Sequence, residues 1–441
     1  MTVGAPRRVI VRFALPIFLS QLFQQLYNSV DSLIVGNFLG KEALAAVGSS
    51  GSLIFLLVSF VSGVAVGAGV VISRHFGAGD EDLVSRAIHT TVLGGVIAGL
   101  FITVLGVSAT PTLLCWMGTA EDVLPHSAAY FRWYFVGGLS IAMYNAFCNI
   151  MNALGDSRRP LIYLIISSVL NILLDLLFVG VLRYGVASAA VATTIAQTVS
   201  ALLCLHHLCD KDMPYRLEWA KLRIDARSLR EILRCGVPSG VQNSVIGFAN
   251  VLVQSNINSF GADAMAACGA YSKLEGFVFL PITCFSSALT TFVSQNLGAG
   301  LYDRAKAGAR FGILAACLLA EGIGAILWLG APVFIGLFNR QAEVVAIGVQ
   351  QIRTEAFFYI LLSFDHSIAG ICRGAGKATV PMVIMLSIWC VLRIAYITIA
   401  MKLRHVIVLL FLAYPITWAI SGVMFLIYYL RSDWVHGYEN R

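Results

Sequence analysis

Residues 16–40 read PIFLSQLFQQLYNSVDSLIVGNFLG. This stretch is apolar and long enough to cross a bilayer, which takes roughly 20 residues, yet it contains the acid Asp31. Gln21, Gln24 and Asn28 precede Asp31 at spacings of three and four, so all four share one face of a helix. Because a carboxylate facing lipid is costly, this face is expected to contact protein or a water-filled cavity. The acid is then either functional or held by neighbouring donors.

The composition of the whole chain agrees with a membrane protein. Of 441 residues, 58% are hydrophobic and only 12% are charged, whereas soluble domains carry about 25% charged residues. A β-barrel would show short alternating segments, which are not seen here. Ten cysteines are scattered without a CxxC pair, so neither a disulfide framework nor a zinc site is expected.

Twelve apolar segments predict twelve membrane helices. They are 13–38, 43–73, 84–113, 123–152, 159–182, 186–210, 229–259, 264–295, 304–336, 343–374, 378–401 and 406–431. The longest polar connection, 211–228, contains aromatic and basic residues and is expected at the membrane surface. The sequence thus predicts an N-terminal six-helix lobe (1–210), a cytoplasmic interfacial linker (211–228) and a C-terminal six-helix lobe (229–441).

The positive charges predict the orientation in the membrane. With the N-terminus inside, 21 of the 30 Lys and Arg residues fall in inside segments and six in outside loops. Basic residues are enriched in cytoplasmic loops, so both termini are expected in the cytoplasm. This bias also accounts for the net charge of +7 without a nucleic acid partner.

The chain repeats itself at an offset of 221 residues. Residues 37–48 and 258–269 share their asparagine, glycines and most alanines, and Gly77 and Pro160 recur as Gly298 and Pro381. Each half has six predicted helices, an even number, so both halves cross the membrane in the same direction. We therefore predict an all-α integral membrane protein with two parallel-repeat lobes around a central cavity, as in alternating-access transporters. A channel is the weaker alternative, because no filter-like loop is present.

Polar residues within the predicted helices are concentrated in the first half. Asn171 and Asp175 share a face of the fifth segment, and Asn145 and Thr193 lie in the fourth and sixth. At the repeat offset, Asp31, Asn171, Asp175, Asn145 and Thr193 correspond to Leu252, Leu392, Tyr396, His366 and Tyr414. An oxygen-rich set in one half only predicts a site for H⁺ or for a hard cation such as Na⁺. The alternative is a hydrogen-bond network that only joins helices.

The second half has buried polar residues of its own. Glu275, Asp365 and His366 are candidates for the wall of a substrate cavity that attracts cations, together with Gln24, Tyr27 and Asn28. Alternatively, Arg393 in the eleventh segment neutralises one of the two acids.

The sequence resembles the multidrug and toxic compound extrusion (MATE) family, most closely its DinF-like branch. The resemblance covers essentially the whole chain. It is carried by the first segment from Leu15 to Gly40, by ALAAVGSS at 43–50, by Gly77-Ala78-Gly79, by the run from Asn152 to Pro160 and by the run from Arg373 to Pro381.

The resemblance implies a cation-coupling set of Asp31, Asn145, Asn171, Asp175 and Thr193, which would also be the metal ligands if Na⁺ binds. It also implies a helix bend at Pro16. The vibrio-type branch of the family uses acids in the C-terminal lobe, and the seventh segment here has none beyond Glu231 at its start; Asp365 is a partial echo of that pattern.

The expected function is multidrug efflux by a secondary antiporter that exports organic cations and amphipathic compounds in exchange for H⁺ or Na⁺. A flippase for lipid-linked precursors or oligosaccharides is the alternative, but it would need a cavity richer in Arg and Lys. An intramembrane enzyme would need clustered catalytic groups or metal ligands, and none is visible. We expect no cofactor, small-molecule drugs or metabolites and the lipid bilayer as partners, a monomer, and a multi-pass location in the cytoplasmic (inner) membrane.

Overall fold

The computed structural model describes residues 1–39, 41–116, 124–210, 213 and 215–436, and this part of the chain is helical throughout, without β-strands. The α-helices are α1 (Pro6–Leu39), α2 (Lys41–Ala78), α3 (Glu81–Trp116), α4 (Leu124–Val136), α5 (Gly138–Ala153), α6 (Arg158–Asp175), α7 (Ala187–Leu208), α8 (Ala226–Asn258), α9 (Ala262–Gly298), α10 (Tyr302–Leu329), α11 (Ala331–Gly336), α12 (Ala342–Glu355), α13 (Tyr359–Gly374), α14 (Thr379–Met385), α15 (Arg393–Leu403) and α16 (Ile407–Arg431).

Ten helical spans in the described residues are long and apolar enough to cross a membrane. The two other predicted spans are the fourth and the seventh. The fourth is divided between α4 and α5, and the seventh, in α8, carries several arginines in its first turns. With these two, the order of elements matches the twelve segments predicted from the sequence.

Several predicted helices are interrupted, which the apolar pattern did not reveal. The fourth breaks at Gly137, where an added Cβ would lie 2.6 Å from the hydroxyl of Thr194, so glycine permits close packing against α7. A 3₁₀ turn, Ala356–Phe358, divides the tenth. π-helical turns, Leu176–Val181 after α6 and Leu386–Leu392 before α15, lie within the fifth and eleventh. Such wide turns are often found at functional sites.

The ends of equivalent helices have the same turn conformation. Gly79 and Gly300, 221 residues apart, have φ of 71° and 70°, and Gly155 and Gly376 have φ of 90° and 72°. At each glycine the following residue donates its N–H to a carbonyl five residues earlier, as in the bonds Asp80 to His75 (3.1 Å) and Leu301 to Asn296 (2.8 Å). This is the Schellman motif, which favours glycine because φ is positive. The internal repeat therefore extends to the backbone of its turns.

The contacts divide the chain into two compact units. The N-terminal unit is Leu15–Gly240, and the C-terminal unit combines Met1–Ala14 with Val241–Arg441. Both divisions fall within two residues of a proline inside a helix, Pro16 in α1 and Pro238 in α8. The lobes predicted as 1–210 and 229–441 divide the chain by sequence repeat rather than by contacts, and they stay a prediction.

Within the N-terminal unit, α2 and the first half of α8 meet backbone to backbone. An added Cβ at Gly63 would lie 2.3 Å from the backbone nitrogen of Gly240, and one at Gly67 would lie 2.3 Å from that of Gly236. Each helix thus contributes two glycines four residues apart, a spacing that brings membrane helices into close contact. Only glycine fits at these four positions without displacing a helix.

The polar connection before α8 is folded against α3 in the same unit. The Nε2 atom of His89 accepts the N–H of Glu218 at 3.1 Å, and the hydroxyl of Thr90 accepts the N–H of Asp225 at 3.0 Å. The N–H of Ser228 donates to the Asp225 carboxylate at 2.8 Å, and this bond lowers the pKa of Asp225. Trp219 projects outward with 65% of its surface exposed.

Candidate cation site

Asp31 and Asp175 meet inside the N-terminal unit. Asp31 comes from the middle of α1 and is 7% exposed, and Asp175 ends α6 and is fully buried. Their carboxyl groups lie within hydrogen-bonding reach of each other. Because an ionised carboxylate only accepts hydrogen bonds, the contact requires a proton or another cation. The sequence placed both acids in one predicted set, and the structure brings them into contact.

Asn171 and Thr193 form the polar support of Asp175. With its amide oriented to satisfy both neighbours, Asn171 donates to Asp175 Oδ2 at 3.2 Å and accepts the N–H of Thr193 at 3.2 Å. The Thr193 hydroxyl donates to the Ala189 carbonyl at 3.1 Å in its own helix, α7. Three of the predicted residues, Asn171, Asp175 and Thr193, therefore make one connected group next to Asp31.

The acid pair is short of donors. Oδ1 of Asp31 and Oδ1 of Asp175 are both buried and accept no hydrogen bond within the protein. Buried acceptors without a partner are costly, so these two oxygens favour binding of a cation. The described residues contain no cluster of three or more His, Cys, Asp or Glu side chains that would hold a metal ion.

Asn145 lies apart from this group. Its amide donates to the Ile141 carbonyl at 2.9 Å, and its Oδ1 atom accepts from the Ser62 hydroxyl at 3.2 Å. Neither contact involves the acid pair. Participation of Asn145 in cation coupling stays a prediction.

Tyrosines surround the acid pair, and the sequence analysis identified only one of them. Tyr27 of α1, and Tyr130 and Tyr134 of α4, are close enough to interact electrostatically with Asp31. The rings of Tyr130 and Tyr134 stack with centroids 6.3 Å apart. Their spacing of four residues places both on one face of α4, but it does not reveal which residue that face meets. The remaining predicted cavity residues of α1 are more accessible: Gln24 donates to Asn28 at 3.4 Å, and Asn28 is exposed.

The predicted bend at Pro16 lies in a continuous helix. Pro16 is buried within α1, and its carbonyl accepts the Ser20 hydroxyl at 2.9 Å. Proline removes one backbone hydrogen bond and weakens a helix locally. A bend of α1 at Pro16 stays a prediction.

A second group of buried acids lies in the C-terminal unit, and its central residue was missed. Glu355, at the end of α12, is fully buried. It accepts the Tyr271 hydroxyl at 2.7 Å and the Gln351 amide at 3.0 Å. The Tyr271 hydroxyl lies 2.9 Å from that of Tyr359 and 3.4 Å from Glu275. The spacing of Tyr271 to Glu275 and of Gln351 to Glu355, four residues each, was the signal in the sequence.

Arg393 supplies positive charge to this second group. It interacts electrostatically with both Glu275 and Glu355. Its guanidinium donates to the Thr417 hydroxyl at 3.1 and 2.8 Å and lies over the Tyr414 ring, 4.4 Å from the centroid. Of the two sequence alternatives for Glu275, neutralisation by Arg393 agrees with these contacts.

Asp365 and His366 belong to a neighbouring network of the same unit. Asp365 is fully buried and accepts the hydroxyl of Ser421, which also accepts the indole N–H of Trp389 at 2.9 Å. His366 lies between aromatic rings, with centroids 5.8 Å from Phe279 and 5.5 Å from Trp389. Their assignment to a substrate cavity stays a prediction.

The MatE family model matches the chain twice, over residues 16–177 and 238–399. The two matches cover most of the sequence and repeat the order of helices. The chain belongs to the MatE family. The two MatE matches begin at Pro16 and Pro238, the prolines inside α1 and α8. The acid pair lies within the first match, and Glu275, Glu355 and Arg393 lie within the second.

Individual relatives cover the MatE chain almost completely. The probable multidrug resistance protein YoeA of Bacillus subtilis (strain 168) is 28% identical over 429 residues, covering 95% of this chain and 92% of its own. The probable multidrug resistance protein YpnP of the same organism is 30% identical over 399 residues, covering 89% and 88%. A solved outward-facing multidrug resistance MATE family transporter of the MOP superfamily has a TM-score of 0.92 at 23% identity, covering 97% and 96%.

These findings confirm the family and the fold class predicted from the sequence. The protein is a multi-pass membrane transporter with the all-α, twelve-helix, two-lobe MATE layout. Its bacterial relatives are named as multidrug resistance proteins and transporters.

Proposed function

We propose that this MatE protein is a secondary active multidrug antiporter that exports organic cations and amphipathic compounds in exchange for H⁺ or Na⁺. Asp31 and Asp175 are the coupling pair, supported by Asn171, Thr193 and Asn145. The observation that carries the proposal is the contact between two buried carboxyl groups from different helices, each with an unpaired oxygen.

The chemistry of the pair favours binding of one cation at a time. Two carboxylates in a poorly solvated site resist double ionisation, so one proton or one Na⁺ relieves the repulsion. A proton would be shared between the two carboxyl groups, whereas Na⁺ would use carboxylate, amide and hydroxyl oxygens. The ion-free pair would need water or a cationic substrate for compensation.

The tyrosines provide a physical basis for exchange. Tyr27, Tyr130 and Tyr134 offer aromatic faces near Asp31, and aromatic faces attract organic cations. An organic cation and the coupling ion would then compete for the same negative charge. Binding of either one shifts the conformational equilibrium only through its different affinity for the two states.

Alternating access requires the predicted lobes, 1–210 and 229–441, to change their relative arrangement around a central cavity. We assign the flexible point of α1 to Pro16. Gln24, Asn28, Glu275, Asp365 and His366 complete the proposed substrate-contacting set and would tune its range.

Reconstituted proteoliposomes provide the direct test. A pH gradient and a Na⁺ gradient are imposed separately, and uptake of a fluorescent organic cation is followed in wild-type vesicles, in vesicles with Asp31→Asn and in protein-free vesicles. Uptake driven by one gradient in the wild type alone supports antiport and identifies the ion. Equal uptake without any gradient would contradict it.

The flippase alternative lacks a supporting observation. A lipid-linked pyrophosphate or oligosaccharide would need free basic groups within the membrane. Arg393, the buried arginine of the C-terminal unit, already contacts Thr417 and Tyr414 and compensates two acids. We therefore retain drug export as the proposed activity.

We also propose that both termini and residues 211–228 face the cytoplasm, on the basis of the charge bias. Ser228 is buried and is a poor labelling position, whereas Trp219 is largely exposed. In a cysteine-free background, Trp219→Cys should be labelled by an impermeant thiol reagent in inverted vesicles and not in intact cells. The opposite pattern would reverse the orientation.

A further inference from the structure

α14 and α16 of the C-terminal unit enclose a groove of about 640 Å³. Its walls are apolar, with Val383 and Ile384 from α14 and Met424 and Ile427 from α16. Val383 is 51% exposed and Ile427 is 49% exposed, so the groove opens outward from the helices. On α16 it extends from Met424 to Arg431, a rise of about 10 Å. In a membrane-spanning protein, such a surface faces hydrocarbon chains.

One end of the groove is polar and positively charged. It is lined by Thr379, Tyr428, Arg431 and Ser432. Arg431 is exposed, and none of the ion pairs within the described residues involves it. The groove therefore complements an anionic phospholipid: its apolar walls match an acyl chain, and the guanidinium at its end matches a phosphate.

The nearest acid in the sequence is engaged elsewhere. The carboxylate of Asp433 accepts the backbone N–H of His436 at 3.1 Å and lies 2.9 Å from its ring Nδ1. The backbone N–H of His436 lowers the pKa of Asp433, and the carboxylate is turned toward His436. Arg431 therefore keeps its charge available.

Contacts within the unit fix the polar end of the groove. The ammonium group of Lys377, just before α14, donates to the Asp433 carbonyl at 2.9 Å and joins the segments that enter and leave the groove. Trp434 is buried and stacks on Tyr429 with ring centroids 5.6 Å apart. The chain after α16 is thus folded back, and the walls near Arg431 are held in place.

We propose that this groove binds an anionic phospholipid of the surrounding membrane, with an acyl chain between α14 and α16 and the phosphate at Arg431. A guanidinium matches phosphate oxygens through two parallel hydrogen bonds. In the orientation proposed above, this end of α16 lies at the cytoplasmic face, where anionic lipids attract basic residues. The proposal is independent of the transported compound and of the coupling ion.

Native mass spectrometry of the full-length protein tests this assignment. Equal amounts of phosphatidylglycerol and phosphatidylcholine are added to the protein in detergent. After release from the detergent in the mass spectrometer, the lipids that stay bound to each protein molecule are counted. Wild type should retain phosphatidylglycerol preferentially. Arg431→Gln should reduce that preference about fivefold, as expected for one basic residue at an anionic surface. The matched control is Arg404→Gln, which removes an exposed arginine after α15, outside the groove.

A second variant tests the apolar part. Val383→Trp places a large side chain in the groove from an exposed position and should reduce binding of both lipids, and Ile427→Trp should do the same from the opposite wall. Size-exclusion profiles verify that each variant is folded. The proposal would be overturned if Arg431→Gln retained as much phosphatidylglycerol as wild type, or if wild type retained the two lipids equally. It would also be overturned if wild type formed dimers that disappear in Val383→Trp, because a second copy of the chain would then occupy the groove.

Discussion

The two groups of buried acids differ in how completely the protein compensates them. In the N-terminal unit, Asp31 and Asp175 face each other with one unpaired oxygen each. In the C-terminal unit, Glu355 has donors from Tyr271 and Gln351, and Arg393 adds a positive charge. Both groups are buried, and both lie on helices of the MatE repeat.

In the proposed function, the first group exchanges its cation with solution, whereas the second group keeps Arg393 as a permanent cation. A compensated buried network contributes to a defined structure and has little reason to bind another ion. An uncompensated pair must recruit charge from solution. Substitutions in the two groups should therefore have unequal effects on transport and on stability.

Asp31→Asn or Asp175→Asn should abolish gradient-driven export while expression and folding stay largely intact. Each change removes a titrating charge from the uncompensated pair and nearly preserves the shape of the side chain. The measurement is drug efflux from proteoliposomes under an imposed gradient, with a fall to the rate of protein-free vesicles.

The matched controls are the positions related to these acids by the repeat, Leu252→Asn and Tyr396→Phe. They should affect export much less. Wild-type export with unchanged gradient dependence in the double variant Asp31→Asn, Asp175→Asn would disprove the coupling site.

Arg393→Gln should destabilise the C-terminal unit by about 3–5 kcal/mol, because removal of one partner leaves buried charge uncompensated. Thermal unfolding in detergent measures the loss. Adding Glu275→Gln should restore part of the stability, since the second change removes an acid that Arg393 had neutralised. Equal stability of Arg393→Gln and wild type would mean that the network carries no such charge balance.

Tyr271→Phe should cost about 1–3 kcal/mol, because Glu355 loses its closest donor while staying buried. Gradient-driven export should survive in the folded fraction. The matched control is Tyr359→Phe, which leaves the bond from Tyr271 to Glu355 in place and should cost less. Complete loss of transport in a stable Tyr271→Phe protein would assign a coupling role to the second group.

Glu275→Gln and Asp365→Asn should change the relative export of cationic and neutral drugs by only a few-fold. Glu275 interacts electrostatically with Arg393, and Asp365 accepts the hydroxyl of Ser421. Competition assays with one cationic and one neutral compound provide the ratio. Failure to export any substrate would show that these acids drive coupling.

Asp225→Asn is expected to have the smallest effect, because this acid lies at the surface before α8. The bond from the Ser228 N–H lowers the pKa of Asp225 in the folded protein. Ionised Asp225 therefore stabilises the fold above its unfolded pKa of about 4, and this contribution is lost as the pH falls through the folded pKa. The variant should lose about a few tenths of a kcal/mol at pH 7 and match wild type at acidic pH.

Local spacing explains which parts of the molecule could be predicted. Twelve apolar segments and a constant offset were sufficient for the fold class, and the spacing of Asn171 and Asp175 placed both on one helix face. Glu355 lies within the tenth predicted segment, 343–374, but it was overlooked because its partner Tyr271 comes from a different helix. The structure places Glu355 at the end of α12 and Tyr271 in α9.

Contacts between helices account for the remaining differences. Tyr130 and Tyr134 approach Asp31 only because α4 packs beside it, and no spacing within one helix reveals this. α4 ends just before Gly137, and this residue is glycine because Thr194 of α7 leaves no room for a side chain there. Such breaks depend on the partner helix rather than on the local apolar pattern.

The π-helical turn after Asp175 separates two helical registers. The N–H of Leu182 donates to the Leu177 carbonyl, five residues earlier, at 2.8 Å, so the turn holds one residue more than an α-helical turn does. Residues up to Asp175 follow the register of α6, and the chain leading to α7 follows another. A one-residue deletion between 176 and 181 would convert the wide turn to an α-helical one and leave the orientation of Asp175 unchanged. The number of residues in this turn can therefore change without changing the direction in which the Asp175 side chain points.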